Sequence, residues 1–427
     1  MTSPVRSNSN GSRLSRRLQL REAVLSSFCD PLPPIFARLH HLSRGEWKGL
    51  LFWLDTSGLA LYFFDRLEKL NLLATLPTHV RERLKQNLAD NTERIEGMIG
   101  ESVRIQSRFQ SAGLSYAAMK GFSLWPISVP KLELRSQLDL DFLVAEEGAT
   151  EARRILEGFG YRLNAIAGEG GTTWEFVSDE FCPSSLKYLY KSGVRRSTDL
   201  HLDISCSGRE SRLSRTQTLP FRGIDMHVLS PRDLFLGQGL HVYQHVCCEF
   251  IRAAHLIEFY RHIVSRRRDD VFWSGLRAQV ENDKETCVRL GMVVLLISRV
   301  MGPFAPDGLT RWTVDELPAT AHLWADRYAH RIALASFPGS KLYLLLREEM
   351  KPMGLAAKRT LRQSLVPRTM PRAIQHAVSG ETVLDRMNRY YRQLRFIAFR
   401  SRFHLLEGIR FLIESIFWRQ NRNGLSQ

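Results

Sequence analysis

From residue 18 to residue 114 apolar side chains recur at the spacing of a helix. Trp47, Leu50, Leu51, Leu54 and Leu61 fall on one stripe, with Gly58 in the intervening turn as a weak point in the helix. A longer segment, 78–112, carries Leu84, Leu88, Ile95, Ile99, Val103, Ile105 and Phe109 on one side. Near Tyr116 the period changes. Residues 138–144 alternate as a strand does, and a short helix over 149–157 is stopped by Gly158 and Gly160. Strand-like pieces follow at 173–177, 186–190 and 198–204, with Ser192-Gly193 as a turn between the last two. After Ser230-Pro231, a helix start, the helical period runs to the end apart from loops at 302–308 and 366–372. The pattern predicts an α+β protein: a disordered basic tail (1–17), a helical region (18–114), an α/β core (115–228), a helical region packed on that core (229–300) and a C-terminal helical region (301–427).

Apolar residues make up 44% of the 427, enough to bury a large core. With 60 Lys+Arg against 44 Asp+Glu the net charge is +16, which suits polyanionic company: nucleotides, nucleic acid or an anionic membrane surface. Cys29, Cys182, Cys206, Cys247, Cys248 and Cys287 form no C-x-x-C pair, so neither a disulfide framework nor a zinc cluster is suggested. The arginine-bearing N-terminus lacks the apolar run of a signal peptide, and no apolar stretch spans a bilayer. A cytoplasmic, soluble protein is expected.

The candidate chemistry begins with the strand 138–144. Leu138, Leu140, Phe142 and Val144 point one way, and Asp139 and Asp141 the other, side by side and close enough to share a cation. Like charges at that spacing are tolerated best where a divalent ion neutralises them. Upstream, in Met119-Lys120-Gly121, the glycine lets backbone approach a ligand and the lysine can meet a phosphate. Arg135 can reach a triphosphate oxygen. Downstream, 198–204 is a second alternating strand with Asp199, His201 and Asp203 on one face, a source of a third carboxylate. Carboxylates that hold Mg²⁺ (or Mn²⁺) are what phosphoryl and nucleotidyl transfer require.

Met119-Lys120-Gly121, then Leu134-Arg135-x-x-Leu138-Asp139-Leu140-Asp141-Phe142-Leu143-Val144, then Leu156-x-x-Phe159-Gly160-Tyr161 and Asp199-Leu200-His201 resemble the signature of the uncharacterised nucleotidyltransferase family. That family is a bacterial branch of the DNA polymerase β-like superfamily. Leu229-Ser230-Pro231-x-Asp233-Leu234 and Leu240-His241-x-x-x-His245 extend the likeness, which covers about residues 45–300. It implies a polymerase β-like nucleotidyltransferase core, a small mixed sheet with helices, flanked by N- and C-terminal helical regions. It implies that Asp139 and Asp141 bind metal and that Asp199 completes the set as ligand or base, preferred to Asp203 because it holds the acidic position of the motif. Lys120, Gly121 and Arg135 would line the phosphates of a nucleoside triphosphate. The superfamily's usual Gly-Ser pair is replaced here by Lys120-Gly121-Phe122-Ser123. The acceptor, whether protein, small molecule or RNA, is not specified by any motif.

Other signals are weighed against blander readings. His241 and His245, one helical turn apart, have zinc-ligand spacing, but Val242 stands where H-E-x-x-H has its glutamate. Packing or support of the nucleotide pocket, with His201 and Asp203, is the simpler role. The segment 390–418 mixes Phe396, Phe399, Phe403 and Trp418 with Arg392, Arg395, Arg400 and Arg402. It reads as a packing helix with a charged back, or as a peripheral contact for anionic membrane. A non-catalytic nucleotide- or partner-binding module, or a basic membrane- or nucleic-acid-associated protein, remain the alternatives to a transferase.

Overall fold

A computed structural model describes residues 9–168, 171–178, 188–192, 197–204, 210–247, 251–355, 360–366 and 382–423, with side chains from Arg16 to Arg422 within these spans. Helix α1 (Ser9–Ser26) starts inside the stretch expected to be disordered. This corrects the reading for 9–17. Leu20, Ala23 and Val24 are buried and dock the helix, while Arg16 pairs with Glu46 at 3.2 Å. A capping box between Ser43 and Glu46 opens α2 (Arg44–Ser57). The stripe that runs past Gly58 is two helices, because Gly58 turns left-handed (φ 74°) to end α2 before α3 (Ala60–Lys69). A side chain there would strike the guanidinium of Arg252, 2.7 Å from where a Cβ would lie. The long helix α4 (Thr78–Ser111) follows.

Next come strands β1 (Tyr116–Met119) and β2 (Asp139–Ala145), helix α5 (Ala149–Gly158), and strands β3 (Tyr161–Ala167), β4 (Thr173–Ser178), β5 (Ser197–Asp203), β6 (Thr216–Phe221) and β7 (Ile224–Leu229). Among the described residues they form one mixed sheet, in the order β3-β4-β5-β2-β1-β7-β6. The central pair, β2 and β5, is parallel, and β1 runs antiparallel to β2. Phe142, Val144, Phe176 and Leu200 bury one face of the sheet against Ile95, Ile99, Ile105 and Phe109 of α4. Of the strand expected over 186–190, residues 186 and 187 lie outside the described residues, as does Gly193 of the expected turn. Residues 188–190 form a turn instead, since buried Tyr190 docks its ring in the N-terminal helical cluster and its hydroxyl donates to Asp55 (3.1 Å).

Ser230 caps α6 (Pro231–Val246), and α7 (Ala253–Ser265), α8 (Asp270–Val280), α9 (Lys284–Met301), α10 (Asp307–Thr310), α11 (Ala319–Ala333), α12 (Tyr343–Met350) and α13 (Leu361–Leu365) follow. Their shared core includes Phe235, Phe259, Trp273, Leu296 and Trp324. Residues 367–372 of the expected loop lie outside the described residues. The last helix, α14 (Val383–Asn423), corrects the simple packing reading. Phe403, Glu407, Phe411 and Trp418 are buried, but Leu394, Leu405, Ile409, Leu412, Ile416 and Phe417 are exposed. Among the described residues no helix is long and apolar enough to cross a membrane. The architecture is α+β, a sheet-based core between helical regions. Cys182, Cys206 and Cys248 lie outside the described residues.

Candidate functional site

Strand register assembles the acidic group. In the parallel β2–β5 pair Asp141 stands directly opposite Asp199, and in the β1–β2 pair it stands opposite Met119, so Lys120 leaves the sheet beside it. Lys120 Nζ donates to Asp141 Oδ1 at 2.8 Å, and His201 Nε2 lies 3.0 Å from the same oxygen. One ligand atom each from Asp141, Asp199 and His201 fall within 4.8 Å of one another. Asp139, two residues along β2, interacts electrostatically with Asp141, Lys120, Arg135 and Arg252. His201, expected only in support, thus touches Asp141 directly, with its Nδ1 3.3 Å from the Thr173 hydroxyl.

Asp203 does not join them. It accepts from the Ser211 hydroxyl (2.6 Å), Arg212 (3.4 Å) and the Leu213 amide (3.3 Å), at the far end of β5. Two further steps along the strand carry it about 7 Å beyond His201, and the turn at 211–213 takes up its charge.

The Lys120-Gly121 bend is built for close approach. Both residues are left-handed, at φ 52° and 45°. A Cβ on Gly121 would lie 2.4 Å from Gln137 Nε2, the same nitrogen that donates to the Asp139 carbonyl (2.8 Å). Ser123 holds the bend from behind, its amide (2.9 Å) and hydroxyl (2.7 Å) both donating to the Lys120 carbonyl. Arg135 is more engaged than its expected phosphate role implied. It donates to Glu258 (3.2 Å) and to Gln137 Oε1 (3.1 Å), and Glu258 also accepts from the Tyr62 hydroxyl (2.9 Å).

The charges are unevenly settled. Burial disfavours the charge on Asp141, yet Lys120 and His201 hold its carboxyl well below the usual range. Burial also works against the Lys120 ammonium, but Asp141 keeps it above the ordinary lysine value. Asp139 is pushed up by burial and then by Asp141. Burial, then Asp141 and Asp139, push Asp199 up to about 7. Two of three neighbouring carboxyls therefore resist ionising together, as they do when their neutralising charge is to come from a cation. Their hard oxygen donors, joined by one imidazole, suit Mg²⁺ or Mn²⁺.

A cavity of about 220 Å³ opens in front, lined by Lys120, Arg135, Asp139, Asp141, Arg252 and His255, among others. Several of these are beyond local sequence reasoning. Arg252 donates to the Ser136 hydroxyl (2.8 Å), and its buried Nε has no hydrogen-bond partner among the described residues. Burial, then Arg135, lower its pKa below the usual arginine value. Arg94 of α4, buried near Asp139, likewise leaves Nη1 unpartnered among the described residues. The available signal was the spacing Arg252-x-x-His255-x-x-Glu258, which puts three polar groups on one helical face.

The family model described as uncharacterised nucleotidyltransferase matches residues 43–295, more than half of the 427-residue chain. No curated protein matches it. Among solved structures, an antigenic nucleotidyltransferase-like protein from Paracoccidioides brasiliensis aligns at 14% identity with a TM-score of 0.28, over 47% of this chain and 93% of that one.

Proposed function

Because the chain belongs to the uncharacterised nucleotidyltransferase family, we propose that it transfers a nucleoside monophosphate from a nucleoside triphosphate to an acceptor, releasing pyrophosphate, at the carboxylates of β2 and β5. The observation that carries this reading is the opposition of Asp141 and Asp199 across parallel strands, with Asp139 beside them and the Lys120-Gly121 bend alongside. A divalent ion held by Asp139, Asp141 and Asp199, Mg²⁺ or Mn²⁺, would supply charge neutralisation at the phosphoryl centre.

The remaining work falls to this chain's own groups. Arg252, which lines the cavity and leaves its Nε unpartnered among the described residues, would meet phosphate oxygens, which pair well with a planar donor fork. Arg135 lines the same cavity but, tied to Glu258, orients the wall more than it binds. Lys120 neutralises Asp141 and would turn to a phosphate oxygen once a cation takes over that charge. Asp199 serves either as the third ligand of that ion or as the base that accepts the proton of the attacking hydroxyl. The acceptor would bind against the helical wall, where His241 and His245 of α6 and His255 and Glu258 of α7 line the cavity.

The direct test replaces both strand aspartates, Asp139→Asn and Asp141→Asn, and measures Mn²⁺-dependent retention of each ribonucleoside triphosphate. Metal-dependent retention in the wild type that falls by about a hundredfold or more in the variants supports the reading. Equal retention in both ends it. Nucleotide binding without pyrophosphate release over a broad acceptor panel would favour a binding module on the same fold.

A further inference from the structure

Three histidines on the helical wall of the cavity have no role in this scheme. His241 and His245 stand one turn apart on α6, and His255 faces them from the first turn of α7. Their ring centroids are 4.4 Å (241–245), 5.1 Å (241–255) and 4.8 Å (245–255) apart. One nitrogen from each ring lies within 4.8 Å of the other two. Tetrahedral coordination with metal–nitrogen bonds of about 2.0–2.1 Å needs donors roughly 3.4 Å apart, so modest side-chain rotations bring the three to bonding distance.

Two further observations point to a ligand. His255 is buried, and its Nδ1 has no hydrogen-bond partner among the described residues, an arrangement that proteins avoid unless something else satisfies the atom. All three histidines also line the 220 Å³ cavity, so a group bound to them is reachable from it. Burial, helped by Lys120, pulls His241 down to about 2, and burial with Arg252 takes His255 well below the usual histidine value. Both rings are therefore neutral, the form that coordinates metals. Of the nearby cations, Lys120 is paired with Asp141 and Arg135 with Glu258, while Arg252 opposes an ion and must be outweighed by the three nitrogen donors.

We propose that His241, His245 and His255 form a binding site for a zinc-class divalent transition ion, separate from the carboxylates and with a coordination position open to the cavity. Imidazole nitrogen selects zinc-class ions over Mg²⁺, whereas the strand carboxylates have the opposite preference. The sequence showed two ligands with the spacing of a zinc site and lacked a third, which α7 supplies across the helix pair. The inference stands apart from the transferase reading, since it needs none of the aspartates.

The full chain, stripped with a chelator and returned to buffer with excess Mg²⁺, is titrated with Co²⁺ and followed by visible absorption. One equivalent should bind with the intense band of a low-coordinate nitrogen site, be displaced by Zn²⁺, and remain in an Asp139→Asn/Asp199→Asn variant, which keeps the Lys120–Asp141 pair. His241→Ala and His245→Ala should each weaken binding by at least about tenfold. Because His255 is buried, the test rests on these two partly exposed α6 positions, each variant first shown by thermal melting to be folded. Absence of the band, equal Co²⁺ affinity in His241→Ala, or loss of binding with the aspartates would overturn the proposal. Intact Co²⁺ binding in a chain without metal-dependent nucleotide retention would reject the transferase alone.

Discussion

The helical shell and the central strands of the sheet treat buried carboxylates in opposite ways. Asp233 at the start of α6 is 5% exposed and fully answered: Arg215 donates twice (3.1 Å each), with Ser230 (2.6 Å) and Gln279 (2.8 Å) completing the shell. Burial opposes its charge, yet these partners bring its pKa below the usual value. Asp65 of α3 is held in the same way by Lys69 and Lys131, at 2.8 Å each. At β2 and β5, among the described residues, one lysine and one histidine bond directly to the row, both on Asp141, and Asp139 and Asp199 are pushed up despite the more distant Arg135 and Arg252. The chain has basic residues to spare and neutralises acids where they only support structure. Where it leaves them short, the missing charge is the binding opportunity.

The sharpest way to break this contrast is to delete the charges on both sides and compare stability with binding. Asp139→Asn should weaken the cation site by several kcal/mol, while the melting temperature of the metal-free protein stays level or rises, because burial and Asp141 both oppose the Asp139 charge. Asp233→Ala should do the reverse, costing about 1–3 kcal/mol of stability by leaving the Ser230, Gln279 and Arg215 donors without their shared acceptor. Chemical denaturation of the two variants side by side decides it, and a steep loss in the strand variant would erase the distinction.

Gly121→Ala comes next. It forces a Cβ onto Gln137 at a left-handed residue, for an expected cost of about 1–3 kcal/mol, together with weaker Mn²⁺ binding as Gln137 lets go of Asp139. Electron paramagnetic resonance of free Mn²⁺ reads the binding, and an unchanged affinity would mean that the bend does not position the strand.

The smallest effect is in pH. Asp199 titrates near 7 in the fold against 3.8 for a free carboxyl, so between those values the folded chain holds an extra proton. Its contribution to stability therefore falls as pH rises from about 4 to about 7. Cation affinity, which needs the ionised form, climbs by up to about tenfold per pH unit below pH 7 and levels off above it. Asp199→Asn should flatten the Mn²⁺ profile between pH 6 and 8; a profile as steep as the wild type's would assign the titration elsewhere.

Local pattern made part of this legible. Period-two alternation at 138–144 and 198–204 is enough to put Asp139 with Asp141 and Asp199 with His201, because strand geometry fixes which side chains share a face. It cannot say that β5 lies next to β2, and it cannot separate Asp199 from Asp203, which share a face and differ only in what the 211–213 turn supplies. The half-exposed strands β3 and β6 lack a clean alternation. Tyr190 reads as strand from its neighbours but is claimed by a helical cluster more than a hundred residues away in sequence, a tertiary preference that overrides local propensity. Arg252, His255 and Glu258 reach the cavity only because two helices pack against the sheet, and the apolar pattern of those helices says nothing about their polar positions.

The acidic row sits on the two middle strands of seven, flanked on both sides by paired neighbours. Amide protons there can exchange with solvent only when much of the sheet comes apart, whereas β3 and β6 at the rims fray on their own. Deuterium uptake should consequently be slowest at 140–143 and 198–200. Thermal fluctuation at the periphery, and in the helices that wall the cavity, can then proceed without disturbing the spacing of the carboxylates.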